Sequence, residues 1–168
     1  MKMNKFFILT PIAAFMMACG GEETVATEPE VVELTVDEEI TQYLSEKGWD
    51  GVRHESGMYV VSDSAGVGEE RPVVTDSVEI FYHGYFLDGE SFDGTNEAPA
   101  TFLLSDLIQG WQIGIPMFGK GGGGKLIIPS DLAYGPNDYN QIPGGSSLMF
   151  EIQLVDWVVN PTSTEEMP

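Results

Sequence analysis

A chain of 168 residues, 42% hydrophobic and 11% aromatic, has room for one globular domain with extensions. Seven Lys and Arg stand against 27 Asp and Glu, a formal charge of −20, and such a surface repels phosphate backbones, which excludes nucleic acid as a partner. One cysteine excludes an intrachain disulfide, and neither His54 nor His83 sits at metal-ligand spacing, so no metal or other cofactor is expected.

Lys2 and Lys5 open the chain with positive charge, and Phe6 to Met17 is an apolar run broken by Thr10 and Pro11. The run falls short of the roughly 20 residues of a membrane helix and has the proportions of a secretory signal. Ala18 directly before Cys19 resembles the lipobox of bacterial lipoproteins, with Met16 in place of the usual leucine. That resemblance implies cleavage before Cys19, lipid attachment at Cys19, and a place on a bacterial membrane, at the periplasmic side of the outer membrane or the cell surface. The alternative is an ordinary signal peptide cut elsewhere. Residues 1–18 are thus read as a lipoprotein signal peptide. Residues 19–34, rich in Gly, Pro and Glu, are read as a flexible acidic tether.

Thr35 followed by Glu38 fits a capping box. Ile40, Tyr43, Leu44 and Lys47 follow at helical spacing and Gly48 stops them, which predicts a short amphipathic helix over 36–47 in a helical extension spanning 35–56. The helix packs on the domain in the simplest reading; a dimer contact or a docking role are the alternatives. Met58 to Val61 predicts a first strand, Gly66 to Glu70 a turn-rich loop, and Pro72 can open a strand. Val78 to Leu87 is rich in β-formers, and Asp88-Gly89 favours a two-residue type I′ hairpin turn. Ser105 to Trp111 begins with capping residues and predicts a short helix, and Lys125 to Ile128 a strand. Leu148, Phe150, Ile152 and Leu154 alternate with Met149, Glu151, Gln153 and Val155, the pattern of a strand with one apolar face. Residues 159–168 are read as a disordered tail. Strands dominate, so the fold class is α+β, an antiparallel sheet wrapped on one short helix.

Gly119 to Lys125 satisfies the spacing of a phosphate-binding loop. That loop needs Ser or Thr next and a helix after it, whereas Leu126 follows and opens a strand. Four consecutive glycines are read instead as a tight, mobile turn.

Tyr82-His83-Gly84, Asp88-Gly89, Ser91-Phe92-Asp93, Ile108-Gln109-Gly110-Trp111, Ala133-Tyr134-Gly135, Ile142-Pro143 and Leu148-Met149-Phe150-Glu151 occur in order. Together they resemble the FKBP family of peptidyl-prolyl cis–trans isomerases over residues 57–158. The resemblance implies a half-wrapped antiparallel sheet around a short helix and an aromatic pocket for a proline ring. Trp111 would be its floor; Tyr82, Phe92, Phe102 and Phe150 its walls; Leu107, Ile108 and Ile142 its rim. Asp93 would lie beside the substrate amide, and the Tyr134 hydroxyl would donate to a substrate carbonyl. One wall position that is usually aromatic in the family is Ala100. From spacing alone, Phe102, Phe150, Leu107, Trp111 and Tyr82 read as core and Asp93 as a turn residue; the ordered motifs raise them to site residues.

The implied activity is rotation about X–Pro bonds of exported, proline-containing polypeptides, without nucleophile, metal or cofactor, and with rapamycin-class macrolides as inhibitors. The alternative is an FKBP-like chaperone or scaffold module that grips proline segments with little turnover.

Overall fold

The computed structural model describes residues 34–160. The stretch read as a signal peptide, Cys19, the stretch read as a tether as far as residue 33 and the residues from 161 onward lie outside the described residues. No helix among the described residues is long and apolar enough to cross a membrane.

Helix α1 runs Val36–Lys47. Thr35 Oγ1 accepts from the Glu38 amide at 3.3 Å and the Glu38 carboxylate accepts from the Thr35 amide at 2.9 Å, the reciprocal bonds of a capping box. The Thr35 amide, and after it the Thr35 hydroxyl donating at 2.8 Å, hold the Glu38 carboxyl below its ordinary pKa. Gly48 ends the helix at φ 67°, and the Trp49 amide donates back to the Leu44 carbonyl at 3.0 Å.

Seven antiparallel strands follow. They are β1 (Val52–Arg53), β2 (Tyr59–Ser64), β3 (Ser77–Phe86), β4 (Ser91–Gly94), β5 (Ala100–Leu103), β6 (Gly123–Ile128) and β7 (Leu148–Val158). Their order is β1-β2-β6-β7-β3-β4, with β5 also paired to β3. The longest pairing joins β3 to β7, from Ser77 opposite Val158 to Phe86 opposite Leu148. Between β5 and β6 the chain makes a 3₁₀ turn at Leu104–Asp106, helix α2 (Gln109–Gly114) and a second 3₁₀ turn at Ile115–Met117.

The two sheet faces have different covers. Leu148, Phe150, Ile152 and Leu154 of β7 point inward with Met58, Val78, Ile80 and Leu126, and Trp111 and Ile115 of the helical segment pack on them. On the outer face, Tyr59, Val61, Ile127 and Met149 are buried under Ile40, Tyr43 and Leu44 of α1. The extension therefore packs on the sheet. Arg53 and Tyr59 donate to Asp37 Oδ1 at 2.7 and 3.1 Å, and Ser147 Oγ donates to Glu39 at 3.1 Å.

Several local expectations are corrected. The extension is not only helical, because β1 lies within it and pairs with β2. The first long strand starts at Tyr59 and continues to Ser64, and β3 starts at Ser77, five residues beyond Pro72. The β3–β4 connection is not type I′. The Gly89 amide bonds the Phe86 carbonyl at 3.0 Å, the Phe86 amide bonds the Glu90 carbonyl at 2.9 Å, and only Gly89 has positive φ, at 93°. That is a three-residue loop with Gly at its left-handed position. Ser105 and Asp106 belong to the 3₁₀ turn, and α2 starts after Ile108 with no side-chain cap.

The glycine run is only half a turn. Gly121 bends at φ 74°, but Gly123 and Gly124 are strand residues of β6. A Cβ at Gly123 would run into the Ile152 carbonyl oxygen, and one at Gly124 into that of Val61. These glycines let three strands approach closely.

Candidate functional site

The inner face leaves a cavity of about 130 Å³ between the sheet and α2, lined by Tyr82, Asp93, Phe102, Leu107, Ile108, Trp111, Tyr134 and Phe150. Chain order explains the assembly. Strands β3, β5 and β7 supply Tyr82, Phe102 and Phe150 by the two-residue alternation that turns side chains inward, and β4 supplies Asp93 beside a register shift. Leu107 and Ile108 lie in the extended link before α2, and Trp111 is in its first turn.

The walls are mutually braced aromatic rings. Trp111, 5% exposed, meets Tyr82 and Phe150 edge-on at centroid distances of 5.1 Å each and Phe102 at 6.3 Å. Such pairs add about 0.5–1.5 kcal/mol each beyond burial. Phe92 braces the wall from behind, edge-on to Phe150 at 5.6 Å and 5.0 Å from Phe86. It does not line the cavity, and Ile142, expected at the rim, is 6% exposed within the core. Strand β4 carries Phe92 and Asp93 in succession, and the register shift that leaves Phe92 unpaired turns both to the inner face, Phe92 onto Phe150 and Asp93 onto Tyr82. Ala100 pairs with Ile80 at the start of β5 and adds no ring to the wall.

The polar groups gather at the mouth. Tyr82 donates its hydroxyl to Asp93 Oδ2 at 2.9 Å, and Asp93 Oδ1 accepts from the Gly94 amide at 2.8 Å. Burial, then the hydrogen bond and charge of Asp93, push the Tyr82 phenol up to about 12, so it remains a donor at ordinary pH. Burial likewise raises Tyr134, with Tyr139 and Asp93 adding to the shift.

Three supporting residues escape motif reading. Thr95 is buried and clamps the Tyr82 backbone: its Oγ1 accepts from the Tyr82 amide at 3.0 Å and its amide donates to the Tyr82 carbonyl at 2.9 Å. Tyr139 stacks on Tyr134 at 4.7 Å and 13°. Gln141 reaches from the same loop to donate to the Phe92 carbonyl at 2.6 Å. No group of three or more His, Cys, Asp or Glu suited to hold a metal occurs among the described residues.

A half-wrapped sheet, a short helix beneath it and an aromatic cavity with a Tyr–Asp pair at its mouth define an FKBP-like domain. The family model described as "FKBP-type peptidyl-prolyl cis-trans isomerase" matches residues 68–155, and the chain belongs to that family. FkpA of Buchnera aphidicola subsp. Schizaphis graminum is 41% identical over 103 residues, covering 60% of this chain and 41% of that protein. FkpA of Escherichia coli K12 is 42% identical over 94 residues, which cover 55% and 34%. The chain thus spans about two fifths or less of the length of these curated relatives. Among solved structures, FkpA from Escherichia coli aligns with a TM-score of 0.64 and 34% identity, over 70% of this chain and 56% of that one. A peptidyl-prolyl cis-trans isomerase from Pseudomonas syringae pv. tomato aligns with 0.63 and 30%, over 71% and 90%.

Proposed function

We propose that the domain catalyses cis–trans rotation about X–Pro bonds of exported polypeptides. The carrying observation is the aromatic cavity with the Tyr82–Asp93 hydrogen bond in its lining. A planar amide is polar and its rotation barrier is roughly 18–20 kcal/mol. The twisted amide has lost resonance and is less polar. A proline ring seated over Trp111, between Tyr82, Phe102 and Phe150, brings its amide out of water, which favours the twisted form over the planar one. Asp93, held by Tyr82 and the Gly94 amide, lies beside the amide. The Tyr134 hydroxyl donates to the substrate carbonyl. Each 1.4 kcal/mol gained this way is a factor of ten in rate.

A protease-coupled isomerisation assay with the chain from residue 20 onward tests the reading. Accelerated exchange, favouring a large apolar residue before proline and competed by rapamycin-class macrolides, is the expected result. A rate equal to the uncatalysed one would leave a proline-binding module with little turnover.

The lipobox-like Ala18-Cys19 supports a lipid anchor on a bacterial membrane. Several acyl chains hold a protein to a bilayer far better than one. Labelled fatty acid should enter the full-length protein, and Cys19→Ser should abolish both label and membrane fractionation. A Cys19→Ser protein that stays on membranes with residues 1–18 attached would mean an uncleaved apolar anchor instead.

A further inference from the structure

Charge is distributed unevenly around the cavity. The described residues include five Lys and Arg, and each stands away from it. Lys47 lies over the Tyr43 ring on α1, and Arg53 and Lys125 pair with Asp37 and Asp63 at 2.7 Å each. Lys120 pairs with Asp156, and Arg71 donates to the Gly68 and Glu70 carbonyls at 2.9 and 2.7 Å. Every residue that lines the cavity comes from the stretches 72–119 and 126–160, which contain no Lys or Arg.

Those stretches carry exposed carboxylates near the lining residues in sequence, which together we term the acidic rim. Asp93 lines the cavity, Asp106 precedes the lining residue Leu107, and Asp131 is three residues before Tyr134. Asp138 precedes Tyr139, whose ring stacks on Tyr134. Glu97 is in the β4–β5 loop. None of these five is in an ion pair with a described residue. Successive Cα atoms are about 3.8 Å apart, so Asp106 and Asp131, one and three residues from a lining residue, have Cα atoms within about 4 and 11 Å of it, comparable to the screening length of about 8 Å in physiological salt.

We propose that the site selects cationic clients: X–Pro segments with Lys or Arg within a few residues of the proline. The inference rests on the isomerase reading and specifies its substrate class. The apolar cavity takes the proline ring and the residue before it, and the uncompensated rim attracts the flanking charges. Rim charges act on encounter and salt dependence more than on the bound chemistry, so the preference belongs in KM and kcat/KM and not in kcat.

The test uses three peptides with one X–Pro core, flanked by Lys, Gln or Glu, assayed at low salt and at about 1 M, where screening shrinks to about 3 Å. The Lys peptide should exceed the Glu peptide in kcat/KM by about tenfold at low salt, a ratio at the low end of electrostatic steering, and approach parity at high salt. The double variant Asp106→Asn/Asp131→Asn should shrink that ratio. Glu69→Gln/Glu70→Gln removes the same charge from a loop outside the cavity and should leave the ratio in place. A Lys-to-Glu ratio within twofold of one at low salt, with the Gln peptide turned over, overturns the inference and spares the isomerase reading. Equal losses in the two double variants overturn it too, because net charge would then be responsible. A Gln peptide exchanging at its uncatalysed rate sinks the isomerase reading and this inference together.

Discussion

Truncating Ile40 to alanine separates the two faces of the sheet. Ile40 is fully buried between α1 and the outer face, where Tyr59, Val61, Ile127 and Met149 receive it. The change deletes three carbons, about 2.4 kcal/mol at ~0.8 kcal/mol per buried methylene. The cavity left behind brings the total to about 3 kcal/mol, within the range for Ile-to-Ala core truncations. For a domain of this size that lowers Tm by roughly 10 °C. Thermal melts by circular dichroism read the shift, and the peptide assay at 25 °C reads the other face. Since α1 and the cavity lie on opposite sides of the sheet, kcat/KM should stay within twofold of the parent. A Tm change of about 2 °C or less would mean that α1 is not docked in solution. A large fall in kcat/KM of the folded variant would mean that the outer cover shapes the pocket.

Asp93→Ala and Trp111→Leu should each lower kcat/KM about tenfold or more, a loss of at least ~1.4 kcal/mol of transition-state stabilisation, while His83→Ala, exposed on the outer face, should stay near the parent value; equal losses in all three would refute the assignment of faces. The raised Tyr82 pKa favours the neutral phenol in the folded state. Its stabilisation is therefore complete below the ordinary tyrosine pKa of about 10 and is lost as pH rises toward about 12. Tyr82→Phe should flatten that part of the stability–pH curve in denaturant titrations, and an unchanged curve would contradict the Tyr82–Asp93 bond. Gly124→Ala should cost about 3 kcal/mol, the upper end of overpacking, because backbone of β2 blocks the added Cβ; a variant with parental urea midpoint would refute the close approach.

How far the sequence is legible depends on the range of the interaction that decides each feature. Helix α1 is decided within its own turn, by Thr35, Glu38 and Gly48, and its predicted bounds are the observed ones. The inward alternation of β7 is equally local, although Met149, an apolar residue at an outward position, makes sense only once α1 covers it. The hairpin turn depends on the register shift between Gly84 and Tyr85, which no local pattern reveals. Motif position groups Phe92 and Ile142 with the site. The register shift in β4 turns both Phe92 and Asp93 inward, but Phe92 packs against Phe150 and Phe86 and only Asp93 reaches the cavity. Thr95, Tyr139 and Gln141 act on partners 13, 5 and 49 positions away, so their roles appear only in three dimensions.

The placement of β7 also sets an order on biogenesis. It is the last strand among the described residues, yet it lies mid-sheet between β6 and β3. Until Leu148–Val158 has emerged, β3 and β6 have no ladder between them, and the aromatic walls on β3, β4 and β5 have nothing to close against. Pairings of such long sequence separation form slowly, on millisecond-to-second scales, while a ribosome adds about 5–20 residues per second. The sheet therefore stays open until β7 has been made. A central strand made after its neighbours thus leaves β3 and β6 as unpaired edges in the nascent chain, the state most open to wrong pairing.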